Sequence, residues 1–264
     1  MVWGKQVRLN RITCEGKMLC VPMDHGVSMG PIKGVDRIYD VLRRVEKGGA
    51  TAVILHKGII KNLVQPLSTG MIMHVSGSTD LSTTPTWKVQ VGTVEEAIRL
   101  GADAVSVHVN IGNREEQDML VKLGMVADEC DAWGVPFIAM MYPRGENIKD
   151  KNDPDVIAHV ARVGAELGAD IVKVPMPSAN PDDIRKITRS CPSPIVAAGG
   201  PKLDDDRRVL ELAKAVMDAG GMGVTFGRNI FQHRDPEAIT RALYAVIIEG
   251  KSVDEALKVL GEGR

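Results

Sequence analysis

Eight short apolar runs recur along the chain at nearly even spacing. This repeat limits the available folds more than any other feature. The runs are Met18–Asp24, Ala52–His56, Met71–Gly77, Ala104–Val109, Pro136–Tyr142, Ile171–Val174, Pro194–Gly200 and Met222–Arg228. Their starts lie about 29 residues apart on average, the size of one strand–helix unit. The runs are apolar nearly throughout instead of alternating, which marks strands covered on both faces, as parallel strands are. The segments between them carry helix ends. Thr93-Val94-Glu95-Glu96 and Ser252-Val253-Asp254-Glu255 read as capping boxes, and Asp153-Pro154 and Asp235-Pro236 place a cap before a first-turn proline. A junction repeats before runs two, four and six: Gly49-Ala50-Thr51, Gly101-Ala102-Asp103 and Gly168-Ala169-Asp170. Gly221-Met222-Gly223-Val224 is a looser copy before run eight. The glycine of each supplies the left-handed residue that ends a helix. Eight strands alternating with helices predict a (β/α)8 TIM barrel with parallel strands, a single domain over residues 1–264. Residues 1–17 would be a lead-in, over the barrel bottom or in a subunit contact. An open doubly wound sheet is the competing arrangement. Runs two and three are close, so only a stubby helix fits between them.

Composition narrows the function. Basic residues number 33 and acidic residues 34, for a net charge of −1. A nucleic-acid or anionic-membrane surface needs a basic excess that is missing here. Three Trp, three Tyr and three Phe are too few for base-stacking platforms. No apolar run approaches the ~18 residues of a spanning helix, and Met1–Asn10 lacks the apolar stretch of a secretory signal. Cys14, Cys20, Cys130 and Cys191 have no metal-like spacing, so free thiols in a reducing cytoplasm are expected.

Barrel enzymes do their chemistry at the C-terminal strand ends, so those ends supply the candidates. Lys173 is the lone charge in Ile171-Val172-Lys173-Val174. Burial disfavours its charged form, and a neutral amine can attack a ketone to give a Schiff base, an electron sink. A lysine that snorkels out or pairs with Asp170 is the bland counterpart. Asp24 ends an otherwise uncharged run and suits proton transfer or hydroxyl binding, or else caps the following turn. Tyr142 ends run five, where a phenol could shuttle a proton or simply pack. Gly199-Gly200 and Gly227-Arg228 place glycine turns at adjacent corners, where backbone N–H groups and a guanidinium can converge on phosphate. Lys57 and Lys202, just beyond their strands, resemble anion binders. His25, His56, His74 and His108 fall near the ends of the first four runs. They could line a polar pocket or, for a zinc-dependent lyase, bind metal, although their spacing matches no local metal motif.

Several of these stretches carry a resemblance. Met23-Asp24-His25-Gly26-Val27-Ser28, Met140-Met141-Tyr142-Pro143-Arg144-Gly145, Gly168 to Lys173, Ala198-Gly199-Gly200-Pro201-Lys202 and Gly227-Arg228-Asn229-Ile230-Phe231-Gln232 resemble the archaeal class I fructose-bisphosphate aldolase family, in order from about residue 5 to 260. The resemblance implies Lys173 as the Schiff-base lysine, Tyr142 as general acid and Asp24 as general base. It also implies that Asp24, His25, Gly26, Val27 and Ser28, then Tyr142, Pro143 and Arg144, with Gly199, Gly200, Gly227 and Arg228, hold a phosphorylated ketose. Ser106 to Asn110 and Met140-Met141 resemble a transaldolase branch of the family. For that branch the donor is 6-deoxy-5-ketofructose 1-phosphate, the acceptor is L-aspartate semialdehyde and the product feeds aromatic amino-acid biosynthesis. Neither metal nor organic cofactor is implied, and a homo-oligomer, a decamer built on a ring, is. Val174-Pro175-Met176-Pro177-Ser178 departs from the family's usual stretch after the lysine. A fructose-bisphosphate aldolase and a non-catalytic phosphosugar-binding barrel are the alternatives.

Overall fold

The computed structural model describes residues 3–262. Helix α1 (Trp3–Ile12) leads into β1 (Met18–Pro22), followed by α2 (His25–Met29), α3 (Ile38–Lys47), β2 (Ala52–Leu55), α4 (Lys57–Lys61) and β3 (Gly70–His74). A hairpin comes next, β4 (Ser76–Gly77) with β5 (Val89–Gln90). Then come α5 (Val94–Arg99), β6 (Ala104–Ile111), α6 (Glu116–Trp133), β7 (Phe137–Pro143), α7 (Pro154–Glu166), β8 (Ile171–Pro175) and α8 (Pro181–Ser190). The chain finishes through β9 (Ile195–Ala198), α9 (Asp206–Asp218), β10 (Gly223–Thr225), α10 (Arg228–Phe231), α11 (Pro236–Ile247) and α12 (Val253–Glu262).

Eight parallel strands close into a barrel in the order β1-β2-β3-β6-β7-β8-β9-β10 and back to β1. This is the expected (β/α)8 barrel, and each of the eight apolar runs supplies one barrel strand. Closure leaves no free sheet edge, unlike the open-sheet alternative. Period-two alternation divides the strand residues between two cores. Cys20, Ile54, Ile72, Ala104, Met140 and Ile171 belong to the interior cluster, while Val21, Val53, Val107, Val172 and Val174 pack with the helices outside. The same parity aims His74, His108, Tyr142 and Lys173 inward.

The bottom of the barrel explains the repeated junction. Leu9 and Ile12 of α1 pack on the interior cluster. Lys5, 4% exposed, binds Asp170 at 2.8 Å and also Asp131, and Arg11 binds Asp103. The third junction residue accepts a strand N–H: Thr51 from Leu19 (3.0 Å), Asp103 from Met71 (2.9 Å) and Asp170 from Phe137 (2.8 Å). Gly49, Gly101 and Gly168 have φ of +92°, +79° and +98°, as the junction predicts, but in the fourth copy the left-handed residue is Gly220 rather than Gly221. The Ser252–Glu255 box closes both ways, whereas Glu96 gives its carboxylate to Lys57 and Lys61 at 3.0 and 3.1 Å instead of returning it to Thr93. Lys57, whose position suggested an anion binder, is thus paired with acid in this structure. Among the described residues no helix is long and apolar enough to cross a membrane.

Candidate active site

Lys173 is 5% exposed, and its Nζ lies 3.9 Å from the Met140 sulfur. Asp170, the acid with which it could have paired, points to the barrel bottom and is held by Lys5. Among the described residues no carboxylate forms an ion pair with Lys173, so both bland readings of this lysine fail. A lysine amine in this position can add to a ketone.

Asp24 occupies the position before α2, yet its side chain makes no capping hydrogen bond. Its carboxylate instead lies 3.7 Å from His25 Nδ1 and 3.9 Å from His74 Nε2. Burial would raise this carboxyl, but His74, His25, Lys173 and His56 outweigh burial and hold it well below the ordinary carboxylate range. Burial drives His74 down to about 3, so its imidazole is neutral at physiological pH. His74 bonds Ser106 at 2.8 Å through one ring nitrogen and Ser76 at 3.2 Å through the other. The His56 ring stands edge-on to it at 5.2 Å. Among the described residues no three His, Cys, Asp or Glu side chains converge as metal ligands.

Tyr142 packs between His108, with ring centroids 4.7 Å apart, and Arg144, whose guanidinium carbon sits 4.6 Å from the ring centre. Among the described residues its hydroxyl has no hydrogen-bond partner. His108 donates through Nε2 to Asn110 Oδ1 at 2.8 Å, and Asn110 in turn donates to Thr86 O at 2.7 Å. Burial, Lys88 and Arg144 all lower the His108 imidazole well below its usual value. Gly145 is required here, since a Cβ would lie 2.0 Å from the Gly112 backbone.

The two glycine turns meet through Asn229, which donates to Gly199 O at 2.8 Å and accepts from Leu203 N at 2.8 Å. A Cβ on Gly227 would lie 2.8 Å from His25 Cε1, which accounts for glycine beside the imidazole. The Arg228 Nε is buried and, among the described residues, has no hydrogen-bond partner, a donor left for a ligand. Burial and Arg144 both disfavour the Arg228 charge, so an anion between them would relieve the two guanidiniums. Ser28 is less free than expected. Its hydroxyl donates to Ser78 O at 3.0 Å and its carbonyl accepts from Asp80 N at 2.9 Å, tying the β4–β5 hairpin across the mouth. Lys202 lies over the Leu203 carbonyl at 3.1 Å.

Three residues take roles in the fold that the sequence alone did not assign. Lys88, in the hairpin, is 8% exposed. Lys122 on α6 donates to the carbonyls of Lys88 and His108. Asn229 was part of a resembling motif, but without the loop-joining role that the fold gives it.

A barrel with an inward lysine beside a carboxylate, a phenol and glycine turns defines the class I aldolase type of site. The chain belongs to the DeoC/LacD family of aldolases, whose model matches residues 18–233, and it is an enzyme of that class. It is similar to the 2-amino-3,7-dideoxy-D-threo-hept-6-ulosonate synthase of Halobacterium salinarum, with 39% identity covering 98% of this chain and 97% of the relative. It is also 37% identical to the 2-amino-4,5-dihydroxy-6-oxo-7-(phosphonooxy)heptanoate synthase of Streptomyces griseus, over 93% and 90% of the two chains. Among solved structures it resembles an archaeal fructose-1,6-bisphosphate aldolase with its catalytic Lys covalently bound to the carbinolamine intermediate of the substrate. That match has a TM-score of 0.86 and 27% identity, over 92% of this chain and 99% of the other.

Proposed function

We propose that the chain is a transaldolase-type class I aldolase in which Lys173 carries the substrate as an imine. The donor is 6-deoxy-5-ketofructose 1-phosphate, the acceptor L-aspartate semialdehyde and the product 2-amino-3,7-dideoxy-D-threo-hept-6-ulosonate, which feeds aromatic amino-acid biosynthesis. The observation that carries the reading is the buried, inward Lys173 with no ion-pair partner among the described residues. Its amine adds to the donor ketone, and loss of water gives an iminium. Asp24 accepts the proton of the hydroxyl on the carbon that becomes the leaving aldehyde. The carbon–carbon bond then breaks, its electrons flow into the iminium as an enamine, and a three-carbon phosphorylated dicarbonyl departs. The enamine attacks the acceptor aldehyde, Tyr142 protonates the new alkoxide, and water releases the product and regenerates the amine. Gly199, Gly200, Gly227 and Arg228 hold the phosphate, and Arg144 and the Asp24–Ser28 segment position the ketose. Remote phosphate contacts raise turnover by orienting the reacting bond.

Fructose-bisphosphate cleavage is the second reading, favoured by the likeness to the solved archaeal aldolase. Supplying each ketose phosphate with and without aspartate semialdehyde separates the two. The amino-ulosonate should form only when both the donor and the semialdehyde are present. Rapid cleavage of fructose bisphosphate with no such product overturns the choice. The free cysteines fit a cytoplasmic enzyme. Val121 and Met125, one turn apart on α6, are 62% and 64% exposed and suit a homo-oligomeric contact, in a decamer by family analogy.

A further inference from the structure

The β4–β5 hairpin holds a cation that the imine chemistry leaves without a role. Lys88 is 8% exposed, and among the described residues no carboxylate pairs with it. Its Nζ donates to the Ser78 hydroxyl at 2.6 Å. Asp80 and Asp24 favour its charge from a distance, while burial and Arg144 oppose it. A buried ammonium without a counterion is costly, and an anionic ligand would remove the cost.

The hairpin is fastened to the site on every side. Ser76 Oγ accepts from His108 N at 2.9 Å, Thr86 O accepts from Asn110 at 2.7 Å, Ser78 O accepts from Ser28 at 3.0 Å, and Lys122 holds the Lys88 carbonyl. Lys88 is thus placed over the ends of β3 and β6. In the barrel order these strands lie four places round from β9 and β10, which bear the glycine turns, so the two cationic regions face each other across the mouth. A phosphate dianion suits the glycine side, with its backbone turns and an Arg228 Nε that has no hydrogen-bond partner among the described residues. One ammonium beside one hydroxyl suits a carboxylate.

We propose that Lys88 binds the carboxylate of the acceptor aldehyde and so selects an amino-acid semialdehyde over uncharged aldehydes. This rests on the transaldolase reading above. The reaction brings two anions to the site, a phosphate and a carboxylate. Cations on opposite walls give each anion its own partner and fix the direction in which the acceptor lies over the enamine.

The test compares kcat/KM for aspartate semialdehyde with kcat/KM for propionaldehyde, which lacks the carboxylate, at saturating ketose phosphate. In Lys88→Met this ratio should fall about tenfold or more through a raised acceptor KM. Lys88→Arg should restore much of it, and thermal unfolding of both variants checks folding. An unchanged ratio, an equal loss with both aldehydes, or a rise in KM for the ketose phosphate instead overturns the role of Lys88. A wild-type enzyme that makes no product from aspartate semialdehyde overturns the transaldolase reading itself, a result distinct from these.

Discussion

Imine chemistry needs an amine kept from counterions and proton carriers at either side of the bond that breaks. In the proposed reaction Lys173, Asp24 and Tyr142 supply these from three different strand ends. Asp24 is held ionised because its neighbours outweigh its burial. Its folded pKa lies below the ordinary value, so it remains a carboxylate as pH falls through the neutral and mildly acidic range. His74, driven down to about 3, should show no titration by NMR between about pH 5 and 8, and a protonation in that window would contradict its assigned environment. Tyr142→Phe keeps the ring between His108 and Arg144 while removing only the hydroxyl. It should lower kcat by roughly 10²–10⁴-fold, the range of a lost general acid, with the ketose KM little changed. An unchanged kcat removes Tyr142 from proton transfer. Lys173 and Asp24 were legible because each is the lone charge in an apolar run. The His74–Ser106 bond was not, although both strands were, because it depends on the register that pairs the two residues. Lys88 lies in a polar stretch with no period to mark it.

At the scale of elements, the hairpin is where sequence and structure part. Met71–Gly77 reads as one strand, but it divides into β3 and β4 at Val75, whose N–H still reaches Ser106 O at 3.0 Å. Strands of two residues are too short to leave a pattern. The hairpin is anchored from beneath by Lys122, 6% exposed, whose ammonium burial and Lys88 together lower to about 7. Between about pH 7 and its model-peptide value of 10.5, the unfolded chain holds a proton on Lys122 that the folded chain releases. This group therefore makes folding less favourable at neutral pH, and the penalty fades as pH rises through that window. Lys122→Met lacks this titration, so the Tm of the wild type relative to the variant should climb from about pH 7 to 10. A flat difference would contradict the buried state of this amine. The caps and junctions were more legible, since their signals lie within a few residues. Even there, the Glu96 carboxylate was diverted to Lys57 and Lys61 by a helix that only the fold brings close.

The whole molecule sorts charge by end. Ion pairs, Lys5 with Asp170 and Arg11 with Asp103, close the bottom with α1, while among the described residues Lys88 and Lys173 at the top pair with no carboxylate and the buried Arg228 Nε has no hydrogen-bond partner. The closed barrel was readable because eight apolar runs at strand–helix spacing admit few other solutions. The opposition of hairpin and glycine turns was not, since it is a property of the ring and of no single segment. The proposed chemistry rests on one covalent bond, between the Lys173 nitrogen and a ketone carbon of the donor. Borohydride reduction of the enzyme with 6-deoxy-5-ketofructose 1-phosphate, followed by peptide mass spectrometry, measures it directly. A stable ketose-derived adduct is expected on the peptide containing Lys173, and none in Lys173→Met. An active enzyme that yields no adduct there, or one attached to a different lysine, would contradict it.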